Sequence, residues 1–595
     1  MEHHPTAMSP WQRATDLLRW WCTPREMGAR KTTVLGLVVL VVLLALASLV
    51  RTWLRNQTVT VSVAGFYMTS DASNHFECAN GLLDHGILVN PWCERRPVYA
   101  ALLAGLSALT GRVWFLTLLV QAAIVAMCGL ALAREASRRF NLIVAIALFV
   151  MFFAYAQLYA FPLSMTENAG LIFGSLGLSL LLAGAAPINA RLLAAGAGLL
   201  SLGLVARSGP FFMLPAIIAW VFLHDQGGVG RRFRTAGIVC LGAVLGFFVQ
   251  LLMLLLGDGT LANAQSNFSY TLYGLAVGGR GWTAVVDDHP EIRELMNTAE
   301  DAIASRKVYL LALQAFMHDP ALLFVGFWRN LSRFFAGPMF TVSWSHYLGF
   351  ANMCWWLGAI AILVSRRDPR YSLVGWLSIG LVASAAIITI DGGGRVFAAG
   401  LAVQALQASL GIAWIVHLAV RAAGTVVPDT PTPYKFGKVE SSLAIAMLLI
   451  ALLPFTPIRQ VFAASAENAG CGPGLVPVVA RLGFETHYLA IVPVAGPLDV
   501  FRMRVSDERL IKRLKDDKST QEDFAKLPKP ITIFRAWPMN KTFPGRAREE
   551  VRFFSHGDFS RYMYKTVVAC LTRERVIEVA EVPYWRATSI TVQAR

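Results

Sequence analysis

The chain has 595 residues, of which 55% are hydrophobic and only 15% charged, with a mean hydropathy of +0.53. An ordinary soluble protein, at roughly 45–50% apolar residues, is excluded, and a chain that crosses a membrane many times is implied. The net charge of +16 then belongs to Lys and Arg in cytoplasmic loops and near lipid phosphates, which sets nucleic acid aside as a partner.

Residues 1–32 carry Arg13, Arg19, Arg25, Arg30 and Lys31 against few acids and read as a cytoplasmic amino-terminal segment. Thr33–Val50 is apolar over a length that covers about 27 Å at 1.5 Å per residue, enough for most of a bilayer core. Its flank is too long and its cleavage site too poorly defined for a secretory leader, so a retained span is expected with its amino end inside. Residues 51–112 form a first external loop with interfacial helices, because Val98–Leu109, at about twelve residues, is short for a crossing. Val113–Ala133 is a full span, and Arg134, Arg138 and Arg139 after it mark the cytoplasm. Spans then alternate through Leu142–Leu158, Leu171–Ala186, Leu192–Ala206, Phe211–Leu223 and Ala236–Leu256. A large external loop, 257–346, follows. Tyr347–Val364, Leu373–Ile390, Val396–Val420 and Ser441–Leu453 complete about eleven spans.

The membrane domain thus runs over 33–456. Beyond it, 457–595 is rich in charge and carries short alternating runs such as Tyr488–Val494 and Ile531–Phe534, which read as a small external α/β domain. The fold class expected is mostly α, a polytopic membrane protein of about 11 transmembrane helices, with that domain at its carboxyl end. Cys78, Cys93, Cys471 and Cys570 all fall on the external side of this topology. An oxidising compartment permits Cys78 with Cys93 and Cys471 with Cys570 as disulfides, with free buried thiols as the alternative.

The charges at external span ends carry the chemistry. Asp71, in Tyr67-Met-Thr-Ser-Asp71-Ala-Ser-Asn-His75, follows the first span, and Arg95-Arg96-Pro97 closes the same loop. Glu167 lies at the mouth between two spans. Arg207 and Arg395 sit in short external turns, where the positive-inside tendency disfavours them, and ionisable groups at membrane depth are costly and usually functional. Arg95, Arg96, Arg207 and Arg395 together make a rim suited to a donor phosphate, because guanidinium binds phosphate oxygens in pairs. Asp71 is suited to take a proton from an incoming hydroxyl or amine, and Glu167 to orient the acceptor or assist Asp71. His75, one helical turn from Asp71, and Tyr270 and Tyr273 in the large loop are offered as substrate contacts; a surface histidine and interfacial aromatics are their plainer readings. No metal site is assigned, and a divalent metal stays open as a cofactor.

The order of parts resembles the GT-C superfamily of polyprenyl-phosphate-sugar glycosyltransferases, including the lipid A aminoarabinose transferases and the protein O-mannosyltransferases. Asp71 after the first span, Arg96 before Pro97 and the next apolar helix, and Glu167 at a later external end carry that resemblance. Many relatives show Asp-Glu where this chain has Asp71-Ala72, and the aminoarabinose transferases usually have Lys where Arg96 stands. The resemblance implies Asp71 as the catalytic carboxylate, a polyprenyl-phosphate-sugar donor taken from the bilayer, a lipid, glycan or protein acceptor, and inversion at the anomeric carbon. It implies an inner (plasma) membrane protein active on the periplasmic face. Two other classes stay open. A polysaccharide polymerase or ligase would use a lipid-linked oligosaccharide. A secondary transporter would show paired halves and midplane charges, of which the sequence has no sign.

Overall fold

The computed structural model describes residues 21–24, 31–462 apart from short breaks at 56–57, 60–61, 64–66, 69–70, 90, 265, 296–300, 337–347 and 423–437, then 471–481 and the strands of 531–536, 551–556, 566–572, 577–579 and 582–592. The membrane part is helical. Its main elements are α1 (Lys31–Arg55), α2 (Asp71–Asp84), α3 (Pro97–Leu109), α4 (Trp114–Arg139), α5 (Leu142–Tyr159), α6 (Glu167–Ala185), α7 (Ala190–Ala206), α8 (Met213–His224) and α9 (Val229–Leu256). The stretch after Leu256 gives α10 (Ser266–Ala276), α11 (Asp301–His318) and α12 (Pro320–Phe335). Then come α13 (Leu348–Val364), α14 (Pro369–Gly392), a 3₁₀ segment Gly393–Gly400, α15 (Leu401–Ala422) and α16 (Lys438–Leu452).

Long apolar runs become helices because, away from water, only a helix pairs every backbone N–H and C=O within its own segment. The ends need other partners. Asn141 accepts from the Val144 amide and Asn189 from those of Arg191 and Leu192. Asp319 and Asp368 do the same ahead of Pro320 and Pro369, each in the first helical turn where a missing N–H costs nothing. Among the described residues six helices are long and apolar enough to cross a membrane: Leu116–Arg139, Leu142–Tyr159, Glu167–Ala185, Val229–Leu256, Pro369–Ile390 and Gly393–Ala422. Shorter apolar helices, Leu35–Arg51, Ala190–Ala206, Met213–His224, Gly349–Val364 and Glu440–Phe455, lie over the other segments that the hydropathy pattern marks as spans. α11 and α12 are together as apolar as a span but meet at 106°, the break falling at Asp319 and Pro320.

Helix α6 is the centre of the packing, buried along its whole length. It reaches its neighbours through glycines. A Cβ at Gly174 would stand 2.3 Å from the Ala399 carbonyl oxygen, and one at Gly177 2.8 Å from the Leu200 nitrogen, so small residues set how closely α6 meets the 393–400 segment and α7. Helix α3 is enclosed by protein up to Ala108, and a Cβ on its Gly105 would lie 2.0 Å from the Ile450 carbonyl oxygen of α16.

Two cysteine pairs are joined, Cys78 to Cys93 and Cys471 to Cys570, with Cα atoms 5.4 and 5.6 Å apart. Cys22, Cys128, Cys240 and Cys354 are free thiols. Beyond residue 470 the described residues form a mixed sheet of β1 (Leu475–Arg481), β2 (Ile531–Ala536), β3 (Val551–His556), β4 (Thr566–Thr572), β5 (Ile577–Val579) and β6 (Val582–Val592). Its order is β1-β4-β6-β3-β2, with β5 on β6; β3 and β6 run parallel and every other pair is antiparallel. The strand expected at Ile531–Phe534 is present, whereas Tyr488–Val494 lies outside the described residues.

Candidate active site

Asp71 opens α2, where a carboxylate faces the positive end of the helix. That first turn is fixed from behind, because Ser164 Oγ, in the loop between α5 and α6, donates to the Ala72 carbonyl at 2.6 Å. Glu167 opens α6 and is fully buried. Arg395 joins the two. Its Nε donates to Glu167 Oε1 at 2.5 Å and its Nη2 to Asp71 Oδ2 at 3.3 Å. Arg207, at the carboxyl end of α7, lies 3.8 Å from the same Glu167 oxygen, and its Nε has no hydrogen-bond partner among the described residues.

Arg395 is placed by its backbone. The chain leaves α14 through Gly393 at φ +54°, a left-handed conformation that favours glycine, and Tyr155 OH from α5 donates to the Gly394 carbonyl at 3.0 Å. The close approach of Gly170 and Gly174 to Ala398 and Ala399 then sets the 393–400 segment against the helix that Glu167 begins.

Arg96 immediately precedes Pro97 at the head of α3, buried, with Nη1 donating to the Arg95 carbonyl at 2.8 Å. Burial, then the charges of Arg207 and Arg95, push it down to about 9, and Glu167 and Asp71 offset this only in part. A guanidinium in that state is still charged at neutral pH and is short of counter-anion. Among these residues, Arg96, Arg207 and Arg395 face Asp71 and Glu167, which leaves one positive charge in excess.

His75, four residues after Asp71 on α2, is buried between Trp92 and Tyr99, with ring centroids 4.4 and 4.9 Å away. Its Nδ1 has no hydrogen-bond partner among the described residues. Burial, then Arg96, Arg207 and Arg395, hold it well below the usual histidine range, so the ring is neutral. It is a core residue of the site rather than the surface histidine of its plainer reading.

The other sequence candidates stand apart. Arg95 is turned toward the large loop, with Nε on Ser266 Oγ at 2.8 Å and Nη2 on the buried Asp301 at 2.5 Å, so it does not join the cationic rim. The reason is local. Consecutive side chains leave the backbone in different directions, and a buried carboxylate already claims this one. Beside it, Glu94 accepts from the Thr260 amide and hydroxyl and from Asn263, so this short stretch fastens the 257–305 region to the first loop. Tyr270 and Tyr273 belong to a separate core with Val285, Ile292 and Val308. Tyr273 OH donates to Asp288 at 2.9 Å, and burial followed by Asp301 pushes Tyr270 up to about 12. Neither contacts the Asp71 group through any hydrogen bond among the described residues.

Among the described residues no group of three or more His, Cys, Asp or Glu side chains is placed to hold a metal ion, and the Arg395 guanidinium lies between the two carboxylates of the site. Tyr155 and Ser164 are part of the site's framework and carry no sequence signal of their own. Ser164 stands in the Ser164-Met-Thr-Glu167 run, and Tyr155 reads as one more aromatic of a span.

Among solved structures the chain is similar to the Archaeoglobus fulgidus oligosaccharyltransferase in complex with zinc and sulfate, at 13% identity and a TM-score of 0.37, over 72% of this chain and 53% of that one. It is also similar to ArnT from Cupriavidus metallidurans in the apo state, at 14% identity and a TM-score of 0.30, over 73% of this chain and 88% of that one. The chain therefore spans about half the length of the archaeal protein. No protein-family model and no curated protein matches the sequence.

Proposed function

We propose that the protein is an integral membrane glycosyltransferase that moves a sugar from a polyprenyl phosphate to a lipid, glycan or protein acceptor on the external face. The observation that carries this reading is the convergence of Asp71, Glu167, Arg207 and Arg395 from four separate stretches of chain, with Arg96 bringing a further cation. An accessible carboxylate on a rim with surplus positive charge, at the ends of apolar helices, fits a reaction in which a proton is taken and a phosphate departs.

In that reaction Asp71 removes the proton from the acceptor O–H or N–H, and the freed lone pair forms the new bond to the anomeric carbon. The bond from that carbon to the phosphate oxygen breaks, and its electron pair leaves with the polyprenyl phosphate. The phosphate gains one negative charge, which Arg96, Arg207 and Arg395 stabilise as it develops. Attack opposite to the departing phosphate inverts the sugar. Glu167, buried and bound to Arg395, serves as the fixed counter-charge that holds the arginines in place. About eleven spans, an amino end in the cytoplasm of an inner membrane and a periplasmic 457–595 domain complete the reading. The domain is available to bind an acceptor.

The test is transfer in detergent by the purified protein, with a panel of radiolabelled polyprenyl-phosphate monosaccharides, against Asp71→Asn. Turnover of one donor, lost by about 10²–10⁴-fold in a folded Asp71→Asn variant, supports the assignment. If no monosaccharide donor is consumed, or the variant matches the wild type, the reading is wrong. Lipid-linked oligosaccharide donors then become the next substrates to try.

A further inference from the structure

We propose that Arg395 is an exchangeable counter-ion: it masks Asp71 while the site holds no donor, and the donor phosphate draws it away, uncovering the carboxylate. This rests on the glycosyltransferase reading above and concerns how that site is switched on.

The two bonds of Arg395 are unequal. The one to Glu167 is 2.5 Å long and ends on a side chain with 0% exposure; the one to Asp71 is 3.3 Å long and ends on a side chain 46% exposed. A long bond to a hydrated carboxylate is the weaker of the two and the one that exchanges. The guanidinium has five N–H donors in a planar fork, so Nε can keep Glu167 while the outer nitrogens turn to a new acceptor. A phosphate presents several oxygens to that fork and so outcompetes a single carboxylate oxygen. Arg207, 3.8 Å from the same Glu167 oxygen and with an Nε that has no hydrogen-bond partner among the described residues, is placed to hold Glu167 when the load on Arg395 shifts. No backbone movement is required, since Tyr155 fixes the Gly394 carbonyl just before Arg395.

Asp71 and the donor phosphate therefore compete for one cation. The consequence is counter-intuitive for a residue that is needed for turnover: removing its charge tightens donor binding, and it does so through Arg395.

The experiment is a binding cycle. The affinity of a polyprenyl monophosphate for the purified full chain in detergent is measured for wild type, Asp71→Asn, Arg395→Gln and the double variant. Asp71→Asn is expected to bind about three- to tenfold tighter than wild type and Arg395→Gln more weakly. In the Arg395→Gln background, Asp71→Asn is expected to change affinity by less than about twofold. Tightening that persists without Arg395 would come from direct repulsion between Asp71 and the phosphate and overturns the proposal, as does an Asp71→Asn protein that binds no tighter. If Arg395→Gln does not fold, Arg395→Lys replaces it: a point cation held on Glu167 cannot be shared, so the tightening should again vanish. Binding that is intact but uncoupled overturns the exchange alone. Absence of binding by every protein overturns the glycosyltransferase reading and the exchange with it.

Discussion

Asp71 and Glu167 bond the same arginine, and the structure predicts that neutralising them has opposite consequences. Glu167 has no exposed surface and is engaged by Arg395 at 2.5 Å and Arg207 at 3.8 Å. Glu167→Gln leaves those partly exposed guanidiniums, and the buried Arg96 beside them, without their buried counter-charge. Breaking a buried pair by removing one partner costs about 3–5 kcal/mol. Asp71 is nearly half exposed and bonded at 3.3 Å, so Asp71→Asn loses a pair of the surface kind, worth about 0.2–1 kcal/mol. Thermal unfolding of both variants in one detergent, followed by tryptophan fluorescence, should show a midpoint several degrees lower for Glu167→Gln and almost unchanged for Asp71→Asn. Donor turnover should fall in both, but only Asp71→Asn should lose it while keeping wild-type stability. Equal unfolding shifts, or a larger one in Asp71→Asn, would refute the division of a buried anchor from an accessible base.

Three further outcomes follow from the same geometry. His75 is held neutral in the folded protein but takes a proton below its ordinary value of 6.5 when unfolded. The unfolded state then binds the extra proton, so stability is present above pH 6.5 and is lost as pH falls, by up to about 1.4 kcal/mol per pH unit. His75→Phe should flatten the melting temperature against pH between about 6.5 and 5, and an unchanged slope would place that acid sensitivity elsewhere. Replacing both Cys78 and Cys93 by Ala removes the bridge between α2 and the stretch carrying Arg96, at about 3 kcal/mol for a loop of this size, and should raise the donor KM more than it lowers kcat. Gly174→Ala would place a Cβ 2.3 Å from the Ala399 carbonyl oxygen, pushing the Arg395 segment off α6. A melting temperature lowered by about 1–3 kcal/mol of destabilisation, with weaker donor binding, is expected, and a neutral result would show that the contact yields freely.

The apolar helices were legible because hydropathy over 12 to 28 residues needs no partner to be read. Arg207 and Arg395 were legible for a different reason: each stands in a short turn where the expected topology disfavours a cation, and an ionisable group at membrane depth is expensive. The pairing of Arg395 with both carboxylates was not, since Asp71 lies 324 positions away and nothing in either neighbourhood encodes the other. Arg95 and Arg96 read as one basic pair because sequence adjacency hides divergence; the distant Ser266 and Asp301, which hold Arg95, tell them apart. Tyr270 and Tyr273 read as aromatics free for a sugar because their true partners, Asp288 and a small apolar core, come from the same loop folding on itself. Tyr155 and Ser164 hold backbone carbonyls, a role that any hydroxyl in the right place performs and that leaves no motif.

The span of 324 residues between Asp71 and Arg395 also fixes an order of events during synthesis. At roughly 5–20 residues per second a ribosome needs roughly 15–65 s to travel that distance. Through most of that interval helix α6 is already made, and Arg96 and Arg207 are the arginines of the site available to offset its buried Glu167. The bonds by which Arg395 joins Asp71 to Glu167 are therefore closed late, after most of the helices around them have been made.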